Sequence, residues 1–305
     1  MLDGGPLEVV DPHHHLTDLS RSYPWLEGPV EPFRYHGDDR PLRRSYSLDD
    51  YLEDARDVVL LGCVHVENGA ADALAETAWV DAVSRERGLP TGHVAHVSLL
   101  DADAARQLEE HAAYPVTRGV RDILNWHPDP VYTHRDRGDI ITDPTWRAGL
   151  ARLAPLGLSF DLQVFPSQLH EAAQLAADFP ETAVVLDHAG MPIGRDPESF
   201  DQWRRGLRAV AAQDNAVVKL SALGTNDHAW TRASIEPFVH ETLEAFGPGR
   251  TMIASNFPVD SLYSTFTELY AAFSALTARL SAAERRAVFV ETAARTYRLP
   301  LTGLR

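Results

Sequence analysis

The amino-acid sequence predicts an α/β protein built as a (β/α)8 barrel, or TIM barrel, and three observations support this fold. Eight short segments rich in apolar and β-branched residues alternate along the chain with helical patterns. The segments are mostly continuously apolar, which is typical of parallel strands covered on both faces. The length also suits one barrel, for which about 250 residues are typical, so residues 1–305 are predicted to form a single domain.

Each predicted strand is a short apolar segment, and the alternative to a barrel is an open, doubly wound sheet. No GxGxxG motif follows the first strand, which disfavours that alternative. In chain order the predicted strands lie near 8–11, 58–66, 92–98, 117–123, 158–164, 182–188, 216–221 and 251–255.

The predicted helices are marked by capping residues and by apolar periodicity. Ser47 opens one helix, and the pair Asp143–Pro144 opens another. Gly88 closes the helix predicted over 70–87. The remaining helical patterns cover 167–178, 199–213, 232–246, 262–279 and 281–297.

Two long loops interrupt the alternation, at 16–46 after the first strand and at 125–142 after the fourth. Loops longer than about 12–15 residues are uncommon and often functional. In a barrel both loops would lie at the carboxyl ends of the strands, where barrel enzymes hold their active sites. The loops are therefore predicted to border a binding site.

Charge and composition exclude several classes of protein. The formal net charge of −16 opposes binding to nucleic acid or to an anionic membrane surface. The longest apolar run, Val58–Val64, is far shorter than the 18 residues or so of a membrane span. The first residues do not resemble a signal peptide, and the single cysteine, Cys63, cannot form an internal disulfide. The sequence therefore predicts a cytoplasmic protein.

The motif His13–His14–His15 closes the first predicted strand. Residues i and i+2 of an extended segment point the same way, so His13 and His15 can converge on one ion while His14 points elsewhere. Neutral imidazoles are ligands for Zn²⁺ and similar metals. A metal site is therefore favoured over a histidine-rich surface turn.

Polar residues at the ends of the other strands form a second set of candidates. Because the carboxyl ends of parallel strands meet at one barrel face, these side chains are expected around one site. Lys219 stands out because it is the only lysine of the chain, and arginine does not replace a compact ammonium group. The set comprises His65, Glu67, Arg121, Gln163, His188, Lys219, Ser221 and Asn256, with His96 more simply a packed structural residue.

Four motifs together resemble the amidohydrolase-related lactonase branch of the amidohydrolase superfamily. They read VVDPHHHL, LDHAGMP, VVKLSAL and TMIASNFPVD, and they occur in the expected order. The branch includes 2-pyrone-4,6-dicarboxylate lactonase and sugar-lactone hydrolases, and the resemblance extends over about residues 8–298. It implies a barrel of the metal-dependent hydrolase type.

The resemblance also implies roles for single residues. The family's first-strand HxH matches His13 and His15, and its sixth-strand histidine matches His188, which implies a divalent metal, zinc or manganese, on these three residues. The family's last-strand motif SDWPV reads SNFPV here, with Asn256 in place of the aspartate. An amide is not a general base near neutral pH. Gln163 lies where many metal-dependent relatives have a histidine, so a metal-free site is the alternative.

The leading interpretation is a hydrolase that opens a small lactone or related cyclic ester with an activated, metal-bound water. The predicted catalytic residues are His188, Asn256 and Lys219. Arg121 or Lys219 would steady negative charge on the substrate, which predicts an anionic lactone. In the simpler alternatives, Lys219 extends to the barrel rim and Arg121 pairs with Asp122 or Glu67. The predicted substrate-binding residues are His65, Glu67, Arg121, Gln163, Ser221 and Trp126.

Three acidic residues near these motifs receive simpler interpretations. Asp187 is expected to point away from the side of its strand that carries His188. Asp260 is interpreted as the N-cap of the following helix, with replacement of the lost base as the alternative. Asp11 is expected to orient a histidine of the HxH motif.

Two other classes of function stay open. A non-oxidative decarboxylase acting on a small carboxylic acid would release carbon dioxide, whereas hydrolysis adds water to the product. A non-catalytic ligand-binding barrel would bind its ligand without turnover. The sequence indicates no protein partner, and it leaves open whether the chain forms a homo-oligomer.

Overall fold

Eight parallel strands, each paired with the next along the chain, form one sheet. The computed structural model describes residues 6–29 and 35–301, so residues 30–34 of the first long loop lie outside the described residues. All eight predicted strands are present, namely β1 (Glu8–His14), β2 (Val59–Val66), β3 (Gly92–His96), β4 (Thr117–Arg121), β5 (Ser159–Leu162), β6 (Val184–Leu186), β7 (Ala216–Leu220) and β8 (Thr251–Ile253).

The sheet curves until the segment that follows β8 meets β1. His14 forms a parallel bridge with Phe257. The N–H of His15 donates to the carbonyl of Phe257 at 2.7 Å, and the N–H of Asn256 donates to the carbonyl of His13 at 2.8 Å. The eight strands therefore form the nearly closed (β/α)8 barrel that the sequence predicts. This closure brings the HHH and SNFPV motifs side by side.

Helices cover the outside of the sheet and connect its strands. Ala104–Ala112 forms a helix that the sequence patterns did not predict, and a π-helical turn over Ala287–Glu291 divides the last predicted helix. In chain order the helices of the described residues are α1 (Pro24–Glu27), α2 (Leu48–Asp54), α3 (Ala73–Arg87), α4 (Ala104–Ala112), α5 (Pro144–Leu150), α6 (Leu169–Asp178), α7 (Pro197–Ala211), α8 (Arg232–Phe246), α9 (Phe266–Leu276), α10 (Ala282–Arg286) and α11 (Thr292–Thr296).

The predicted capping residues stabilise the helix ends locally. Ser47 and Asp50 form a reciprocal capping box, because each side chain accepts a hydrogen bond from the other residue's backbone N–H. Gly88 ends α3 with a φ of +75°, a conformation that glycine adopts without steric cost. The expectation for Asp260 is wrong, because α9 begins six residues later, at Phe266, and Thr265 caps it.

The core lies between the sheet and the helices, where large side chains such as Trp146 and Trp203 are fully buried. Two charged side chains on the strands are buried as well, Asp161 on β5 and Lys219 on β7. Burial of charge is costly unless the groups are paired, so these residues require partners. No helix in the described part of the chain is long and apolar enough to cross a membrane.

Candidate active site

A cavity of about 270 Å³ lies at the carboxyl ends of the strands. Six of the predicted site residues line it: His15, Glu67, Arg121, Gln163, His188 and Asn256. The lining also includes Trp25 of the first long loop, together with residues that the sequence patterns did not indicate, among them Tyr35, Asn68, Met191 and Thr225. The cavity is large enough for a small ring compound and lies where barrel enzymes hold their active sites.

Three predicted histidines lie together at this cavity. The ring centroid of His13 is 5.0 Å from that of His15 and 4.6 Å from that of His188. Burial lowers the pKa of all three imidazoles, to about 3 for His15 and His188, so they are neutral at pH 7. A protein group contacts Nδ1 of each ring, namely Lys219 Nζ at 3.1 Å in His13, the Val66 carbonyl at 2.8 Å in His15 and the Ser221 hydroxyl at 2.8 Å in His188.

The Nδ1 contacts leave Nε2 of each ring as the atom that can bind a ligand or carry a proton. In His13 this atom is buried, and no group of the described residues forms a hydrogen bond with it. A buried nitrogen without a partner is rare in folded proteins and calls for an explanation such as a metal ion or a water. The three histidines therefore form a candidate reactive centre.

Asp187 joins this centre, which corrects the prediction that its side chain points away. Its Oδ1 lies 3.5 Å from His13 Nδ1 and 3.0 Å from Lys219 Nζ. The prediction assumed that the strand continues, but β6 ends at Leu186 and His188 follows with a φ of +57°. Since the residues after Leu186 form a turn, the alternation of a strand does not apply to them.

Lys219 is completely buried at the centre of an ionic network. Its Nζ lies 2.5 Å from Asp161 Oδ2, and the Tyr297 hydroxyl donates to the same oxygen at 2.7 Å. The interpretation that Lys219 extends to the barrel rim is therefore wrong. Lys219 does not line the cavity but contacts His13 and Asp187, and its catalytic role stays a prediction.

Arg121 does line the cavity, and its guanidinium is held by Glu67. Arg121 Nε donates to Glu67 Oε1 at 2.7 Å, and Nη2 donates to the backbone carbonyl of Glu67 at 2.8 Å. Nη1 donates to Gln163 Oε1 at 3.1 Å. Although burial opposes ionisation, the Arg121 charge holds the pKa of Glu67 below its usual range. Of the two pairings considered for Arg121, the structure contains the one with Glu67.

Asn256 lies on the cavity wall with a φ of +57°, a left-handed conformation that asparagine tolerates better than most residues. Its side-chain Nδ2 donates to Asp260 Oδ1 at 3.0 Å. Asp260 is buried, and burial raises its pKa to about 6. The predicted cap is therefore a carboxyl group directly behind the cavity wall.

Three predicted substrate contacts do not line the cavity. Ser221 instead holds His188 through its hydroxyl group. Trp126 packs against Gly138, where an added Cβ would lie 2.8 Å from the indole ring. His65 is fully buried and contacts the Leu16 N–H through Nδ1 and Glu76 through Nε2. In this structure these three side chains contact other protein groups, and their direct contact with a substrate stays a prediction.

Asp11 contacts backbone groups and hydroxyls rather than an imidazole. Its Oδ1 accepts from the Ser255 N–H at 2.9 Å, and its Oδ2 accepts from the Tyr51 hydroxyl at 2.8 Å. The carboxyl group thereby ties β1 to the segment after β8. Asp11 supports the site by fixing this junction, and the expectation that it orients a histidine ring is corrected.

His65 belongs to a buried polar network between the sheet and the helices α3 and α4. His93 and His111 share the Thr77 hydroxyl, at 2.9 Å and 2.8 Å. Burial lowers the pKa of His65 to about 3 and that of His111 to about 4, and it raises the pKa of Glu76 to about 8. These groups are neutral at pH 7 in the folded protein, so they serve structure rather than the site.

We predict that this network makes the protein less stable in acid. Between about pH 6.5 and pH 4 the unfolded chain binds protons at His65 and His111 that the folded chain does not, so the free energy of unfolding falls as the pH falls. Each histidine contributes about 1.4 kcal/mol per pH unit, while Glu76 contributes an opposite slope of similar size. Urea unfolding of His111→Asn between pH 7 and pH 5 should give a shallower slope than the parent protein, and an equal slope would contradict the prediction.

A metal ion fits the centre on the grounds of its donor atoms. Metal-binding side chains are histidine, cysteine, aspartate and glutamate. Among the described residues, one group of three or more of them has all its donor atoms within 4.8 Å of one another, and it consists of His13, Asp187 and His188. Neutral imidazole nitrogen and carboxylate oxygen are both zinc ligands. This compact group contains two of the three predicted ligands, with Asp187 in the place expected for His15.

The fold and the site together define a (β/α)8-barrel enzyme with a histidine-rich centre at the carboxyl ends of its strands. The sequence profile of the family described as Amidohydrolase matches residues 10–299. The chain therefore belongs to the amidohydrolase family, as the sequence motifs indicated.

Relatives of the chain support this membership and differ in how much is known of them. An uncharacterized protein, y4mH of Sinorhizobium fredii, is 37% identical over 296 residues, which cover 96% of this chain and 99% of that protein. An L-fucono-1,5-lactonase of Burkholderia multivorans is 35% identical over 181 residues, which cover 54% of this chain and 61% of the lactonase. The chain thus spans less than two thirds of the lactonase that it matches.

Among solved structures, an amidohydrolase from Burkholderia multivorans with bound zinc is similar over almost the whole chain. The TM-score is 0.81 at 28% sequence identity, and the match covers 96% of this chain and 99% of that one. The bound zinc belongs to that protein. The likeness agrees with the barrel and with a donor group that fits a metal in this chain.

Proposed function

We propose that this protein hydrolyses a small lactone or a related cyclic ester. The observation that carries the proposal is the cluster of neutral His13, His15 and His188 beside the Arg121 guanidinium in one cavity. Family membership and the similarity to an L-fucono-1,5-lactonase support the same reaction class. Opening a lactone requires a base for water, a cationic partner for the carbonyl oxygen and an acid for the leaving oxygen.

In the proposed reaction His188 transfers the proton from the attacking water to the leaving oxygen. The Ser221 hydroxyl holds Nδ1, so Nε2 is the nitrogen that accepts a proton from the attacking water. The water oxygen bonds to the carbonyl carbon, the ring C–O bond breaks, and the proton passes from Nε2 to the released ring oxygen. The product is the open hydroxy acid, which is heavier than the lactone by one water.

Arg121 stabilises the negative charge that develops on the carbonyl oxygen. Glu67 accepts hydrogen bonds from Nε and Nη2. Nη1, which donates to Gln163, is therefore the guanidinium nitrogen proposed to donate to the carbonyl oxygen of the substrate. Because the guanidinium is already oriented by these contacts, it does not need to reorganise when charge develops. Gln163 and Glu67 thus position the group that contacts the substrate.

A zinc ion would be held by His13, Asp187 and His188, with His15 adjacent, and His188 Nε2 would then be a ligand rather than the proton acceptor. Zinc supplies Lewis acidity and lowers the pKa of a water that it binds. Lys219 and Asp161 lie behind the donor group and keep Asp187 in position. The chain's own contribution is therefore a rigid set of donors that are neutral or anionic at pH 7.

The charge of the cavity favours an uncharged lactone over the anionic substrate that the sequence suggested. Arg121 is the only lysine or arginine among the described residues that line the cavity, and Glu67 already neutralises it. An anionic group would have to compete with Glu67 for the guanidinium. A polyhydroxylated ring would instead find neutral partners in Asn68, Thr225 and Asn256.

We predict that purified protein acidifies solutions of uncharged sugar lactones. The kcat/KM for the best uncharged 1,4- or 1,5-lactone should exceed that for the dianionic 2-pyrone-4,6-dicarboxylate by about 10-fold or more, equivalent to at least 1.4 kcal/mol. Proton release at constant pH measures the rate, and mass spectrometry identifies the product. A product that has lost carbon dioxide would replace hydrolysis with decarboxylation, and saturable binding without turnover would indicate a binding protein.

A further inference from the structure

Asp260 is a buried carboxyl group directly behind the cavity wall, with only 1% of its surface exposed. Its Oδ1 accepts two hydrogen bonds, from Asn256 Nδ2 at 3.0 Å and from the Thr225 hydroxyl at 2.8 Å. Both donors line the cavity, whereas Asp260 does not. The carboxyl group therefore contacts the cavity wall from behind through these two side chains.

The contact with Asp260 decides which end of the Asn256 amide is free. An ionised carboxylate only accepts hydrogen bonds, so the atom of Asn256 that faces it must be the NH₂ group. The backbone of Asn256 is held as well, because its N–H donates to the His13 carbonyl at 2.8 Å and its carbonyl accepts from the Asp260 N–H at 3.1 Å. No group of the described residues donates to Asn256 Oδ1, which is left as a hydrogen-bond acceptor at the cavity wall.

We propose that Asp260 is a positioning residue that fixes the Asn256 amide so that Oδ1 accepts a hydrogen bond from the attacking water or from a substrate hydroxyl. The inference rests on the proposed hydrolysis and adds a role for a residue outside the cavity. It explains how an asparagine serves in the segment after β8 without acting as a base. The amide orients its partner, and the proton is taken elsewhere, at His188.

Asn256 and Asp260 complement each other, because one is a neutral amide that donates and the other is a carboxylate that accepts. An aspartate at position 256 would place two carboxylates about 3 Å apart, and like charges at this distance do not ionise together. An asparagine at position 260 would donate or accept, so it would no longer select one orientation of Asn256. Exchanging both residues would restore one acceptor and one donor and would leave an acceptor oxygen at the cavity wall.

The exchange provides the test, in the full-length protein at pH 8, where the Asp260 carboxyl is ionised because its pKa is about 6. Asn256→Asp and Asp260→Asn should each lower kcat/KM for the best lactone by about 10- to 100-fold. The double variant Asn256→Asp/Asp260→Asn should recover to within about 3-fold of the parent, far above the product of the single effects. A double variant as poor as that product, or an Asp260→Asn variant with parental kcat/KM, would overturn the proposal.

A matched control separates positioning from loss of stability. Asp122 is another buried carboxyl, which accepts from Trp146 Nε1 at 2.8 Å and does not line the cavity. Asp122→Asn should lower the melting temperature while leaving kcat/KM near the parental value. If it lowered kcat/KM as much as Asp260→Asn does, a general structural effect would explain both, and the proposal would be wrong.

A second measurement keeps the inference independent of turnover. In protein labelled with ¹⁵N only in asparagine, the side-chain signal missing from Asn256→Asp identifies Asn256. One Nδ2 proton of that amide should exchange slowly in the parent and at least about 10-fold faster in Asp260→Ala, because the hydrogen bond that protects it is removed. Unchanged exchange would refute the orientation itself, whereas slow exchange without any lactone turnover would refute only the proposed hydrolysis.

Discussion

Replacing Lys219 with methionine is expected to lower the free energy of unfolding by about 3–5 kcal/mol, because it leaves buried carboxylates without their cation. Methionine has a similar length and removes the charge. The Lys219 ammonium lies 2.5 Å from Asp161 and 3.0 Å from Asp187, and all three side chains are fully buried. Urea unfolding followed by circular dichroism measures the change.

Two further variants show that the effect comes from the network. Lys219→Met/Asp161→Asn removes one carboxylate together with the cation and should recover part of the lost stability. Arg56→Met breaks the exposed ion pair with Glu53 and should cost less than about 1 kcal/mol. A Lys219→Met protein as stable as the Arg56→Met control would show that the buried network does not hold the barrel together. If the single variant does not fold, the double variant still measures the rescue.

Lys219→Arg is informative because Lys219 is the only lysine of the chain, whereas arginine occurs throughout the sequence. The single Nζ contacts three acceptors, in Asp161, Asp187 and His13. A planar guanidinium is larger and directs its donors differently. The structure thus explains why a lysine occurs at this position in an otherwise arginine-only chain.

The second large effect is expected in catalysis. His188→Ala should lower kcat for the best lactone by about 100- to 10,000-fold, since it removes the residue proposed to transfer the proton. Ser221→Ala keeps the imidazole but removes the contact at Nδ1, so a smaller loss of about 10-fold is expected. Initial rates at saturating lactone measure both effects.

His240 provides a matched histidine control, because it is half-buried on α8 and contacts the carbonyl of Leu276 rather than the cavity. His240→Ala should retain parental kcat. Elemental analysis of untagged protein adds a second readout. Zinc that the parent and His240→Ala hold and that His13→Ala and His188→Ala lose would make His188 a ligand, whereas a zinc-free parent would leave it as the proposed proton acceptor. Parental turnover in His188→Ala would exclude the proposed role of this histidine.

The fold was predictable because its signals are local. Each strand is a short apolar segment whose burial follows from its own composition, and each of the eight predicted segments overlaps a strand of the barrel. Capping residues such as Ser47 and Gly88 act within one turn of their helices. The helix α4 was not predicted, although most of its residues are good helix formers.

For the site, the sequence predicted only which polar side chains lie at the carboxyl ends of the strands. The HHH motif and His188 were recognisable, and six predicted residues line the cavity. The direction of Asp187 was not predictable, because the turn after Leu186 reverses the expected side. The pairing of Asp161 with Lys219 was not predicted, because nothing in the sequence near Asp161 indicates which residue it contacts. Asp260 resembled a helix cap, but the helix begins after Thr265.

The sequence by itself determined the number and order of the strands and which of them end in reactive side chains. Only the tertiary structure decided which of these side chains face the cavity and which neutralise one another. The physical reason is distance along the chain, because Lys219 meets Asp161 across 58 residues and His13 across 206. Hydrophobic periodicity acts between neighbours in sequence, whereas the pairing of buried charges depends on the closure of the barrel, which brings distant strands together.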